Sequence, residues 1–173
     1  MGLKKYNLGE PIELSEEGTS EDLYSIENVR DISNEKEIIP TNAKVDGSVI
    51  RKFHILRPNQ FIYNPRTTQM GDIVDLSYNN TDNLLLLSFN NIAFSINNSA
   101  KELMLPQYLY MYFNRSEFDR FVVVYFGGND RETFTWKDLK RFSSTLPPLD
   151  FQRTIANIYK CANETKQIAA EVD

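Results

Sequence analysis

Two adjacent prolines, Pro147 and Pro148, limit what this chain can fold into more than any other residues do. A proline ring holds φ at about −65° and removes a backbone N–H, so neither residue suits a central strand or a helix interior. The residues before them, Ser143–Leu146, read as a last extended strand. The residues after them read as one helix, opened by Asp150-Phe151-Gln152-Arg153 and running to Asp173. Along it Ile155, Ile158 and Ala162 share a face, with Ile168 and Val172 further on, the spacing of a helix packed on a partner helix. The chain thus divides into a body, residues 1–146, and a stiff joint leading into a spacer helix, residues 147–173.

The body alternates short β signals with turns, then turns helical. Residues 49–56 read as a strand, followed by a turn at Arg57-Pro58-Asn59-Gln60. Residues 61–64 form a second strand, cut by Pro65, and 71–78 alternate as a third. The apolar runs 84–88 and 92–96 have the composition of buried strands. Pro106 sits where a helix favours proline, at its first position, and Tyr108, Leu109, Tyr112 and Phe113 give that helix an apolar stripe. A second helix covers 116–126, with Ser116 as N-cap, Asp119 at N3 and Gly127 as C-cap. Residues 135–142 read as a helical turn. Earlier, 37–40 is extended because proline biases its predecessor toward β, 22–26 suggests a short strand, and 6–14 is open between strand and helix. The fold class is α+β: a mixed, β-rich core with flanking helices and a C-terminal spacer helix.

At 173 residues with 41% hydrophobic content, one packed domain with an appendage is the natural size. No apolar run approaches the ~20 residues that span a bilayer, and the start, Met1-Gly2-Leu3-Lys4-Lys5-Tyr6, has no apolar signal region. The one cysteine, Cys161, cannot form an internal disulfide, which fits a reducing cytoplasm. The net charge of −5 argues against a polyanionic partner. Its distribution weakens that argument: residues 1–40 carry ten acids against four bases, and the remainder fourteen against fifteen.

The joint Pro147-Pro148-Leu149-Asp150-Phe151-Gln152-Arg153-Thr154-Ile155 resembles the Pro-Pro/Ser-Leu-x-x-Gln-x-x-Ile signature that ends a target-recognition domain of type I restriction-modification specificity subunits. Four upstream pieces resemble one branch of that family in order and spacing. They are Asn59-Gln60-Phe61-Ile62-Tyr63-Asn64-Pro65, Leu105-Pro106-Gln107-Tyr108-Leu109, Arg115-Ser116-Glu117-Phe118-Asp119-Arg120, and Gly127-Gly128-Asn129-Asp130-Arg131 running on to Trp136. The ordered set is the specific signal, and it covers roughly residues 6–160. The family's subunits usually carry two such domains separated by long helices, and this chain has one.

The resemblance implies sequence-specific reading of one half of a bipartite double-stranded DNA site, with no catalysis by this chain and no cofactor. Methyl transfer belongs to methyltransferase subunits, cleavage to a restriction subunit reached indirectly. A second half-subunit or a second copy of this chain would complete the pair. The residues suit the role. Asn64, Arg66, Thr67, Thr68 and Gln69 supply base-reading groups in one loop. Asn129 and Arg131 supply more beside the glycine pair, and Arg51 and Lys52 add charge for phosphates. Pro147, Pro148, Gln152, Ile155 and Ile158 form the partner and spacer surface.

The same residues also fit plainer roles. The 64–69 loop is equally an ordinary solvated turn, and Arg131 can pair with Asp130 or Glu132. A non-DNA-binding half-subunit acting as an assembly module is the competing reading. Enzyme readings fare worse. Asn64-Pro65-Arg66 lacks the second proline and the aromatic of an adenine-methyltransferase motif. Glu164-Thr165-Lys166 lacks the upstream Pro-Asp of a nuclease site, and no glycine-rich nucleotide loop is present. His54, the one histidine, has no Cys or Ser beside it, and no metal-ligand spacing occurs.

Overall fold

The first and last strands of the body pair with each other. In the computed structural model, which describes residues 3–19, 24–42, 44, 47–66, 74–126 and 133–172, β1 (Lys4–Asn7) runs antiparallel to β10 (Ser143–Leu146). The chain is therefore closed on itself just before Pro147. The main sheet is antiparallel, with order β2-β9-β6-β7, where β2 is Ile12–Leu14, β6 Phe61–Tyr63, β7 Leu76–Tyr78 and β9 Ile92–Ile96. Two smaller antiparallel pairs flank it: β3 (Arg30–Ile32) with β4 (Ile38–Pro40), and β5 (His54–Leu56) with β8 (Leu85–Leu87).

Strand β6 is buried on both faces because alternate side chains enter different cores. Phe61 and Tyr63 join the large aromatic cluster, and Ile62 joins a smaller one with Leu56, Leu85, Leu87 and Ala93. The large cluster is built around stacked and edge-on rings. Phe61 lies 5.0 Å from Phe94, and Phe118 lies 5.0 Å from both Phe113 and Phe142. Such pairs add about 0.5–1.5 kcal/mol each beyond the area they bury. Helices α2 (Pro106–Phe113) and α3 (Ser116–Phe126) supply two of these five rings, Phe113 and Phe118. Asn79, fully buried, ties the two sheets together: its Nδ2 donates to the carbonyls of Leu56 and Asn83 at 3.1 and 2.7 Å.

Most of the expected elements form. Strands β9 and β10 and helix α3 have the expected bounds, and Pro106 opens α2 at its first turn. Residues 49–56 are a correction. They split into a short helix, α1 (Gly47–Ile50), a turn, and a strand of only three residues. Ile50 and Phe53 explain the split. Three residues apart, both bury in one cluster with Val29, Ile55 and Leu86, which a turn permits and a strand does not. The strand suggested for 22–26 is also corrected where it is described: Ser25 instead caps a 3₁₀ turn, Ile26–Asn28. Ser116 is not the cap of α3. The carbonyl of Arg115 accepts from the amides of Phe118 and Asp119, and Asp119 turns its carboxylate to Lys36. The proposed cap Gly127 lies outside the described residues.

Beyond the prolines, α5 (Leu149–Val172) is a continuous helix of 24 residues. Its first two turns pack most closely on the body: Gln152 and Ala156 are buried and Ile155 is half-buried against the large core. Further along, α5 separates from β4, β7 and α2, leaving a groove of about 450 Å³ lined by Tyr78, Tyr110, Asn157 and Asn163.

Candidate functional site

Residues 64–66, just after β6, lie beside residues 133–134. Asn64 donates its N–H to the Asp75 carbonyl at 2.9 Å, closing the neck of the first loop. The Asn64 side chain accepts from the Arg66 amide at 3.0 Å, an Asx turn that sets the direction in which the loop departs. On its other side Pro65 offers its carbonyl to the Phe134 amide at 2.7 Å, and Arg66 forms an antiparallel bridge with Thr133. Thr133 follows directly on the second loop, 127–132. The two segments singled out from sequence, 67 residues apart at their necks, are thus joined by backbone pairing. Of the expected readers, Asn64 and Arg66 stand at this junction, Arg66 exposed. Thr67, Thr68, Gln69, Asn129 and Arg131 lie outside the described residues.

Sequence reasoning missed the floor beneath that junction. Tyr63, fully buried, has a hydroxyl without a hydrogen-bond partner, and burial pushes its pKa well up, the Asp138 charge adding to the effect. Asp75, about 9% exposed, has one carboxylate oxygen without a partner. Burial raises its pKa, and the positive charge of Lys36 opposes that. After Thr133 the chain turns straight into α4 (Trp136–Leu139), fixed by a reciprocal cap. Thr135 Oγ1 accepts from the Asp138 amide at 3.2 Å, and Asp138 Oδ2 accepts from the Thr135 N–H at 3.0 Å and its hydroxyl at 2.6 Å. The second loop is therefore held between the end of α3 and a capped helix start.

Arg51 and Lys52 occupy a different place. Both are exposed in the turn between α1 and β5, over the Val29–Phe53 cluster rather than on the sheet that carries the loop junction. His54 follows in β5, opposite Leu87, with its Nδ1 buried and unpartnered. Cys161 is exposed on α5.

At the helix joint the expected residues separate into two groups. Gln152 is fully buried and acts as a clamp inside the chain. Its Oε1 accepts from the Leu105 amide at 2.9 Å, and its Nε2 donates to the carbonyls of Leu103 at 2.7 Å and Pro147 at 2.8 Å. Three backbone groups, at the entry to α2 and at the double proline, are thereby tied to one side chain. Ile155 packs against the body with it. Pro148, Phe151 and Ile158 point outward, Phe151 and Ile158 about 65% and 64% exposed. Exposed Phe151, Ile158, Ala162 and Val172, with Thr165 and Ala169 between, follow one another at alternating three- and four-residue steps once Ile155 is included, the repeat of a coiled-coil seam.

Among the described residues no helix is long and apolar enough to cross a membrane, and no group of three acidic, His or Cys side chains is placed to hold a metal ion.

Two solved structures share this fold. One, from work on the structural basis of complex assembly and conformational transition of the type I R-M system, is 16% identical with a TM-score of 0.56. It covers 99% of this chain and 42% of its own. The other, the crystal structure of the HsdS subunit from Thermoanaerobacter tengcongensis, is also 16% identical, with a TM-score of 0.54, covering 98% of this chain and 39% of its own. No family model and no curated protein matches the sequence. The chain spans about two-fifths of the length of the structures it matches, and at this identity what is shared is the fold. It is the α+β body with a C-terminal helix that the ordered motifs imply.

Proposed function

We propose that this chain reads one half of a bipartite DNA target as the recognition domain of a type I restriction-modification specificity subunit. The observation that carries the reading is the Arg66–Thr133 bridge, which joins the chain at the start of one polar segment to the chain at the end of the other, in a fold shared with an HsdS subunit. Asn64, Arg66, Thr67, Thr68 and Gln69 in one loop, and Asn129 and Arg131 in the other, are the base-reading candidates. Their amide, guanidinium and hydroxyl groups match base edges in the major groove. Arg51 and Lys52, set apart from the junction, serve at most as phosphate contacts.

In this reading α5 is the ruler. Its 24 residues extend about 36 Å, comparable to one turn of B-DNA at ~34 Å, so its length and its partner set the gap between half-sites. Pro147, Pro148, Phe151 and Ile158 face a methyltransferase subunit or a second recognition unit, either another half-subunit or a copy of this chain. A restriction subunit is engaged through the methyltransferase. Chemistry resides in those partners, this chain needs no cofactor, and the complex works in the cytoplasm.

The exposed seam on α5 favours one other reading, an assembly module that pairs without touching DNA. Arg66→Ala separates the two. Its side chain is exposed, so the melting temperature should stay within about 1 °C. DNA affinity in the presence of the methyltransferase subunit should fall about tenfold, the loss of one good contact. An unchanged affinity would favour the assembly module.

A further inference from the structure

Resting on the reading above, we propose that Lys137 and Arg141, on α4 and the turn after it, are a phosphate clamp beside the recognition loops. The need for one follows from charge. Residues 64–73 and 127–132, the two loops, hold Asp72, Asp130 and Glu132 against Arg66 and Arg131, a net of −1. A loop pair of that charge is repelled by a phosphate backbone unless cations stand next to it.

The fold supplies them by position. Thr133 pairs with Arg66, Phe134 bonds Pro65, Thr135 caps α4, and Lys137 follows one residue into the helix, exposed. One turn later the Arg141 guanidinium lies 5.7 Å from the centre of the Tyr125 ring, and Tyr125 stands one residue before the end of α3, where the second loop departs. Arg141 thus sits against the outgoing stem of that loop, while the start of α4 holds its returning stem. The ring fixes the guanidinium while carrying no charge of its own. Among the described residues the carboxylate partner of Arg141 is Asp138, a long ion pair at 3.8 Å to Oδ1, while the other oxygen of that group is occupied by Thr135. Lys140, between the two, has its ammonium 6.0 Å from the Trp136 ring. Three cations against one committed carboxylate leave this corner near +2, enough to offset the loops. A flat ring beneath a guanidinium is also a suitable mount for phosphate, since the edge N–H groups stay free to donate.

The test is DNA binding by the full chain with a methyltransferase subunit, using a randomised duplex pool and then the enriched duplex at several salt concentrations. Lys137→Ala/Arg141→Ala should bind all sequences about tenfold or more weakly and enrich the same motif. It should also flatten the slope of log affinity against log salt by about 2, near one unit per lost phosphate contact. The charge-conserving pair Lys137→Arg/Arg141→Lys should keep the wild-type slope, which separates charge from any packing role of Arg141 on Tyr125. A double-alanine variant with the wild-type slope, or one that enriches a different motif, overturns the clamp and leaves half-site recognition standing. A wild-type complex that binds no duplex overturns both.

Discussion

Three polar side chains decide how firmly this body holds its shape, and each is buried. Lys36 sits in a polar turn with a left-handed backbone, φ 62°. Its ammonium donates to the Phe113 carbonyl and to Asp119, both at 2.7 Å, pinning the β3–β4 hairpin between α2 and α3. Gln152 clamps the helix joint. Gln152→Ala would remove the partner of one amide and two carbonyls in a part-buried joint, and an unmade bond to a buried group costs about 1–3 kcal/mol. Urea unfolding should therefore show a loss of about 2–4 kcal/mol, and a loss below 0.5 would contradict the clamp. Asp75 acts in the opposite sense. Burial holds its carboxyl above the ordinary 3.8, so the folded state prefers it protonated. Its stability is complete below the unfolded value and declines as pH rises through the higher folded value. Asp75→Asn removes that decline. The variant's melting temperature should draw ahead of wild type between acid and neutral pH. Parallel curves would mean the carboxyl ionises freely. Neither residue was legible in sequence: Lys36 in a polar turn reads as solvent-facing, and Asp75 in an alternating strand reads as part of its polar face. Only the distant helices and sheet bury them.

Among elements, those with local signals were readable and those made by long-range pairing were not. Pro106 and the ring spacing after it announce α2, and the apolar run 92–96 announces β9. By contrast β1 and β2 have four and three residues, too few for a periodicity to speak, and they exist because β10 and β9 pair with them. Residues 49–56 misled because Val, Ile, Phe and Ile in one stretch look strand-like, while the register that buries Ile50 with Phe53 belongs to a turn. Helix α5 was plain from its spacing, but which isoleucine faces the body was not. That distinction can be tested. Ile158→Asp changes an exposed position, so the body's melting temperature should hold within about 1 °C while assembly with a partner helix weakens at least tenfold. Ile155→Asp places a charge against the core and should cost about 2–4 kcal/mol in stability. If both behaved alike, the seam would be placed on the wrong face.

For the molecule as a whole, the acidic N-terminal quarter is part of the body, since β1 to β4 all lie within residues 1–40. Its charge is spread through the same domain that carries Arg66, Lys137 and Arg141. The family motifs located the joint, and both candidate loops could be named from their composition. What composition could not reveal was that 64–66 and 133–134 are neighbours, an adjacency that joins the two segments. The most direct measurement is selection from a randomised duplex pool by the chain in complex with a methyltransferase subunit. Half-site recognition predicts enrichment of one short motif, about three to five base pairs, with affinity that falls steeply as salt rises. A stable complex that binds without enriching any motif, or binds no duplex at all, would contradict it.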